Sequence, residues 1–155
     1  MKIEEQVLSI EQMKHLQELG VDTSDASMAY YNISRDNQPD KWVLGIANKG
    51  VACIMLSNGI TEMKQTYTIG DLIEKLPKSD NSGDLLIEYR NSELGYGVWD
   101  WGELYGINAQ QNFKDKPLKN ALYDLLCWVA ENHKELLEVR NEQDNILRPV
   151  QEIPL

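Results

Sequence analysis

The sequence contains few of the residues that bind metal ions or form covalent intermediates, with two cysteines and two histidines among 155 residues. Cys127 and His133 lie six residues apart on one predicted helix and point in directions about 240° apart, so they cannot form a thiolate–imidazole pair. Cys53 has no accompanying catalytic motif. We therefore expect no catalytic residue, no metal site and no cofactor, and hence a protein that is not an enzyme.

Long apolar segments are also missing, since no run reaches the roughly 18 residues that a membrane-spanning helix requires. The N-terminus is too charged for the apolar centre of a signal peptide. Cys53 and Cys127 each lie in a short apolar run, which is typical of buried, reduced thiols. The sequence therefore predicts a cytoplasmic protein without a structural disulfide.

Basic residues are scarce, because 15 Lys and Arg against 25 Asp and Glu give a net charge of −10. The basic residues are scattered, so no positive stripe is available to bind phosphates. We therefore expect neither direct nucleic-acid binding nor binding to an anionic membrane. An acidic surface is compatible with a protein partner and equally with a role in solubility alone.

Three segments have the capping signals and apolar spacing of helices. Ser9 and Gln12 have the spacing of a capping box and Gly20 supplies a left-handed stop, which predicts a first helix between them. A Thr-x-x-Asp spacing predicts a short second helix within residues 68–77, ended by proline. The strongest pattern covers residues 117–137, where a broad apolar face requires a sheet beneath it.

The remaining patterned segments indicate strands. "MAYYNIS" predicts a strand over residues 28–34, because aromatic and β-branched residues favour strands. The segment 41–67 predicts a three-strand meander with turns at residues 48–50 and at 58–59. Its middle strand, "VACIML" at 51–56, is apolar on both faces and is expected at the centre of a sheet.

A second hairpin is predicted from "LLIEYR" at 85–90 and "YGVWDWGEL" at 96–104, joined by the loop "NSELG". The resulting fold class is α+β, a mainly antiparallel sheet of three-strand meander plus hairpin packed against about three helices. Residues 1–140 are expected to form a single domain. Residues 141–155 contain two prolines and no periodicity, so we expect an extended or frayed tail.

Three segments resemble one group of proteins. They are "LSIEQMKHLQELGVDTSDASM", "TYTIGDLIEKLPK" and "LKNALYDLLCWVAE", in this order along the chain. They resemble segments of small uncharacterised proteins from gut-bacterial genomes and from their phages and prophages. That group has no assigned activity, so the resemblance implies only the layout of helices and strands and an accessory role on a mobile element.

The segment "YGVWDWGELYG" packs four aromatic rings and three glycines into eleven residues. In an extended strand Trp99 and Trp101 point to the same face, where paired rings can stack on a sugar or a partner's apolar side chain. Asp100 and Glu103 flank the rings on opposite faces of that strand, so joint acid–base catalysis is not expected unless the strand breaks at Gly102. These four residues and Tyr105 form the predicted binding surface, unless the rings pack in the core.

Three functional hypotheses follow from these patterns. The first is a non-enzymatic interaction module that binds a protein of unknown identity through the aromatic and acidic surface. One version of it is an inhibitor whose carboxylates imitate nucleic-acid phosphates. The second is a small-ligand or glycan-binding protein that uses the Trp99 strand, and the third is a structural homo-oligomer whose aromatic strand is internal.

Overall fold

The computed structural model describes residues 2–60, 62–80, 83–100, 103–105 and 113–137. A short 3-10 helix (Ile3–Gln6) is followed by α1 (Ile10–Glu18), β1 (Met28–Asn32), β2 (Trp42–Ile46), α2 (Lys49–Ser57), β3 (Glu62–Thr66), α3 (Ile69–Lys75), β4 (Ser79–Asp80), β5 (Gly83–Arg90), β6 (Glu93–Asp100), β7 (Glu103–Tyr105) and α4 (Leu118–Asn132). Residues 134–137 are also helical. The predicted α+β class with antiparallel sheets is confirmed.

The first sheet has the strand order β2-β1-β3. Strand β1 is antiparallel to both neighbours, so β2 and β3 run parallel to each other on its two sides. The chain must therefore return from the end of β2 to the opposite end of the sheet, where β3 starts. Helix α2 lies in this crossover connection. The sheet is therefore antiparallel, but it is not the sequential meander that the sequence predicts.

The predicted central strand at residues 51–56 is wrong, because this segment belongs to helix α2. The Asn48 side chain caps the helix by accepting a hydrogen bond from the Val51 amide at 2.7 Å. At the other end the Asn58 amide donates to the Ile54 carbonyl, and Gly59 has φ of +86°. Asn and Gly thus cap a helix here instead of forming hairpin turns, and the Ala, Met and Leu residues between them favour a helix.

The second sheet has the order β4-β5-β6-β7. Asn91 and Ser92, with φ of 52° and 62°, form the whole connection between β5 and β6. This is a two-residue turn in which both residues are left-handed, and its twist matches that of the flanking strands. The predicted five-residue loop is therefore too long, since Glu93 already begins β6.

Apolar side chains of α1, α3, α4, β5 and β6 form one core. Helix α3 packs against α4, and α4 packs on β6. Burial of each leucine in this core contributes about 2 kcal/mol to stability. Its members without exposed surface are Leu8, Leu16, Leu72, Leu76, Ala121, Leu122, Leu125, Leu126 and Val129.

The predicted capping signals of α1 and α3 are confirmed. The Ser9 hydroxyl accepts from the Gln12 amide at 3.1 Å, and the Gln12 side chain accepts from the Ser9 amide at 3.0 Å. Gly20 has φ of +86° just after α1. Thr68 and Asp71 form the same reciprocal pair at the start of α3.

No helix in the described part of the chain is long and apolar enough to cross a membrane. The tail predicted at 141–155 lies outside the described residues. The predicted extent of a single domain, 1–140, stays a prediction.

Replacement of the Ser9 hydroxyl should weaken the start of α1. We expect Ser9→Ala to lower the free energy of unfolding by about 1 kcal/mol, because the Gln12 amide loses its acceptor. Urea denaturation followed by circular dichroism measures this change. Ser57→Ala, which alters an exposed serine near the end of α2, should stay within about 0.5 kcal/mol of wild type; equal losses in both variants would contradict the capping role.

Candidate interaction surface

The structure places four of the five predicted site residues in the second sheet. Trp99 and Asp100 end β6, while Glu103 and Tyr105 begin and end β7. Trp101 lies outside the described residues. The assignment of these five residues to a binding surface stays a prediction, as does the glycan-binding alternative.

One premise of that prediction is corrected by the strand register. The sequence predicts a single strand through residues 96–104, with Asp100 and Glu103 on its two faces. Instead, Asp100 in β6 is paired directly with Glu103 in the antiparallel strand β7. The two acidic residues therefore occupy opposed positions of two paired strands, and the predicted single strand through residues 96–104 is wrong.

Helix α2 exposes apolar side chains. Its residues 51–56 are all apolar, yet none of the nine residues of the helix is buried. Ile54 is 62% exposed and Leu56 is 58% exposed. A helix on a globular protein normally buries one apolar stripe and presents polar residues on the other side. We call the exposed residues Cys53, Ile54 and Leu56 the α2 surface.

The sequence around α2 differs in charge from the rest of the chain. Residues 41–61 include Lys41 and Lys49 but no acidic residue, although the chain as a whole carries a net charge of −10. From Gly50 to the end of the helix no residue is charged. The α2 surface is therefore uncharged and begins next to a lysine, so an acidic partner meets no opposing carboxylate on this segment.

The two cysteines occupy different environments. Cys127 is buried, as predicted, whereas Cys53 is exposed on α2, so its predicted burial is wrong. Burial raises the pKa of the Cys127 thiol to about 11, and this effect exceeds that of the Tyr123 hydrogen bond, which lowers the pKa. Cys127 therefore stays a neutral thiol and is a poor nucleophile.

Four residues form a polar cluster that we call the loop latch: Asp22, Asp25, Tyr67 and Lys75. The Lys75 ammonium donates to the Asp25 carboxylate at 3.0 Å and to the Asp22 carbonyl at 2.6 Å. The Tyr67 hydroxyl lies 2.6 Å from the Asp25 carboxylate and 2.8 Å from the Asp22 carbonyl. Lys75 is only 7% exposed, so its charge depends on these oxygen atoms for stabilisation.

The loop latch is suited to holding the fold and not to proton transfer. Burial raises the pKa of Tyr67 far above its usual value, and the hydrogen bond to Asp25 raises it further. The hydroxyl therefore remains protonated at neutral pH and cannot act as a general base. Its hydrogen bonds join the loop before β1 to the segment between β3 and α3.

A groove of about 360 Å³ lies between α1 and β3, and its lining includes Lys14 and Lys64. Lys14 lies 3.9 Å from Glu18, and Lys64 lies 3.5 Å from Glu62. Both lysines therefore already have carboxylate neighbours, so the groove has no excess of positive charge from them. In the described ranges no three His, Cys, Asp or Glu residues are grouped so that they could hold a metal ion.

The α2 surface was not predicted, although its signal is visible in the sequence. Six consecutive apolar residues lie between two asparagines that can cap a helix. An apolar run of this length has no periodicity that distinguishes a buried strand from a helix. The prediction of a central strand at residues 51–56 also implied that the side chains of this segment are buried.

The two thiols should differ in reactivity because of their environments. At pH 8 we expect a thiol reagent to modify Cys53 in the folded protein and Cys127 only after unfolding, since a pKa of about 11 leaves about one thiolate in a thousand. Absorbance of the released thiol product measures both rates. Cys53→Ser should remove the fast reaction and Cys127→Ala should retain it; slow modification of both thiols would contradict an exposed α2.

Removal of the Tyr67 hydroxyl should weaken the loop latch. We expect Tyr67→Phe to lower the free energy of unfolding by about 1–2 kcal/mol at pH 7, as measured by urea denaturation. The pKa of Tyr67 is higher in the folded protein than in the unfolded chain, where it is about 10. The protonated hydroxyl therefore contributes fully to the free energy of unfolding below a pH of about 10, and this contribution is lost as the pH rises above about 10. As the pH is raised from 7 to values above about 10, the free energy of unfolding should therefore fall less in Tyr67→Phe than in wild type.

The exposed Tyr89 provides a matched control for this substitution, because its hydroxyl donates to the Lys116 carbonyl at the surface. Tyr89→Phe should change the stability by no more than about 0.5 kcal/mol. A loss in Tyr67→Phe no greater than that in Tyr89→Phe would show that the latch contributes no stability.

The relationship of the chain to other proteins rests on sequence resemblance alone. The resemblance to small proteins of gut bacteria and their phages stays a prediction, because nothing in the structure bears on it. Comparisons with protein-family models, curated proteins and solved structures give no match.

Proposed function

We propose that the protein is a non-enzymatic interaction module that binds another protein through the α2 surface. The observation that carries this proposal is an apolar helix of nine residues, none of them buried. Covering an exposed aliphatic side chain of this size is favourable by about 1.5–3 kcal/mol. A partner that covers Ile54 and Leu56 gains this contribution, whereas the free protein leaves both in water.

The chemistry of α2 defines the kind of partner. Ile54 and Leu56 lie about 160° apart around the helix, so a partner that covers both must enclose α2 on more than one face, as a deep apolar groove does. Acidic residues at the rim of that groove would complement Lys49, which begins the helix. The partner that we propose is therefore a protein with an apolar groove and an acidic rim.

The polar clusters support binding more than catalysis. The Cys127 thiol is buried with a raised pKa, and the polar atoms of the loop latch are engaged with one another. An accessory role on a mobile element and a cytoplasmic location are carried by the sequence alone and belong to the same proposal. The predicted surface around Trp99 and Tyr105 is a separate candidate for contact with a partner.

Affinity capture from a lysate of the source organism tests this proposal. We expect Ile54→Asp with Leu56→Asp to lose a protein that wild type retains, because a buried charge opposes docking in an apolar groove. The matched control is Ile3→Asp with Leu86→Asp, which changes two other exposed apolar residues. Circular dichroism must show that both variants are folded.

Direct binding then separates docking from nonspecific capture. Titration with the purified partner should give a dissociation constant at least about tenfold higher for the α2 variant than for wild type and for the control variant. The partner should also slow modification of Cys53, since this thiol lies on α2. Equal binding by the two variants, or unchanged modification of Cys53 in the complex, would overturn the proposal.

A further inference from the structure

In the part of the chain that the structure describes, strand β2 is an edge of the first sheet and has β1 as its one neighbouring strand. The Ala47 amide donates to the Ser27 carbonyl, and the Ile33 amide donates to the Lys41 carbonyl. Odd-numbered residues of this segment therefore direct their backbone groups towards β1. Because alternate residues of an antiparallel strand bond to opposite sides, the backbone groups of the even-numbered residues in β2 point away from β1.

The outward-pointing residues of β2 are Trp42, Leu44 and Ile46. Among the described residues, the only partner on this side is the Tyr31 hydroxyl, which donates to the Ile46 carbonyl at 2.6 Å. The other outward amides and carbonyls have no hydrogen-bond partner within the described ranges, so a further strand can pair with them. This edge therefore differs from that of β3, where the Leu8 amide, just after the Val7–Thr68 bridge, donates to the Tyr67 carbonyl.

The edge of β2 lacks the usual protection against pairing. Edge strands are commonly blunted by charged residues, proline or a bulge. Strand β2 has the sequence WVLGI, with neither a charge nor a proline, and it pairs with β1 without a bulge. None of its five residues is buried, and Ile46 is 57% exposed.

We propose that a second copy of this chain pairs with the free edge of β2 and forms a symmetric dimer. Antiparallel pairing about a two-fold axis at Leu44 places Leu44 opposite Leu44 of the partner subunit. The same register places Trp42 opposite the partner's Ile46. All three outward-pointing residues then lie in hydrogen-bonded pairs, which supply up to about six backbone hydrogen bonds.

The side chains complement one another in this register. Trp42, Leu44 and Ile46 alternate along the strand and share one face of the sheet. Trp42 therefore occupies the position opposite the partner's Ile46, a pairing of the kind that favours aromatic with β-branched residues, while its ring also lies 5.0 Å from the Lys64 ammonium of its own chain. The dimer covers three side chains that are only partly buried in a single copy.

The charges near the edge also favour a second copy. Two chains that each carry a net charge of −10 repel each other, but residues 41–61 contain no acidic residue. In the register centred on Leu44, residue 40 continues the pairing opposite residue 48, so Asp40 and the partner's Lys49 both lie just beyond the same end of the paired strands. Each dimer therefore brings two pairs of opposite charges together at the boundary of an uncharged edge.

The dimer does not depend on the proposed docking by α2, because it uses the edge of β2. Its six strands would form one continuous sheet with the two-fold axis perpendicular to it. Because a perpendicular two-fold axis maps each face of the sheet onto itself, both copies of α2 lie on the same face. A partner with two grooves could bind both copies at once.

Charge exchange at the two-fold axis tests the dimer. Light scattering after size-exclusion chromatography should give wild type a mass twice the 17.8 kDa of one chain. Leu44→Lys and Leu44→Glu should each raise the dimer dissociation constant by about tenfold or more, since like charges face each other. An equimolar mixture of the two variants should recover a dimer, because lysine then faces glutamate.

Met63 provides the matched control, because it is an exposed apolar residue of the other edge strand, β3. Met63→Lys should leave the dimer dissociation constant unchanged within about twofold. A monomeric wild type, or Leu44 variants that dimerise as well as Met63→Lys, would overturn the proposal. So would a mixture of folded Leu44 variants that stays monomeric.

A cysteine at position 44 gives a test without added charge. The α-carbons of a hydrogen-bonded antiparallel pair are about 5.5 Å apart, within the range that a disulfide spans. In a Cys53→Ser background, Leu44→Cys should form a covalent dimer with oxidised glutathione, while Met63→Cys should remain uncrosslinked. Equal crosslinking of both would contradict the β2 interface and would leave the α2 proposal intact.

Discussion

The placement of the first sheet depends on the attachment of the loop before β1 to helix α3. The Asp71 carboxylate accepts hydrogen bonds from the Ser27 amide and hydroxyl, at 3.1 and 2.7 Å, while it also caps α3. One turn later, Lys75 binds the Asp25 carboxylate. Because β1 begins directly after Ser27, these two residues of α3 fix where the sheet starts. The register of β2 and β3 then follows from their pairing with β1.

Local chemistry explains which parts of the fold were predictable from sequence. The caps at Ser9 and Thr68 involve residues three positions apart, so no information about distant contacts is needed to recognise them. The turn at Asn91 and Ser92 has the same local character, but neither residue is glycine. Left-handed backbone at Ser92 is unusual, and the pattern therefore favoured a longer loop that reached Gly95.

Helix α2 shows what sequence patterns cannot resolve. The apolar run at 51–56 has no periodicity that separates a buried strand from a helix, so its flanking caps and its surroundings decide between them. The predicted site around Trp99 rests on residue type, since tryptophan is enriched at binding sites, whereas the α2 surface depends on exposure, which sequence does not reveal. Exposure of Ile54 is a property of the complete fold, since it depends on whether another part of the chain packs against the helix.

The acid-free segment 41–61 makes the distribution of charge along the chain uneven. The chain carries a net charge of −10, and all of its acidic residues lie outside this segment. A molecule with such an arrangement has an electric dipole, and in the field of an anionic surface it turns so that its least negative side leads. This orientation acts before any contact forms, within a Debye length of about 8 Å at physiological ionic strength. Added salt would shorten that range and weaken the orientation, while it also screens the repulsion between a net charge of −10 and an anionic surface, and the apolar contacts made afterwards stay the same.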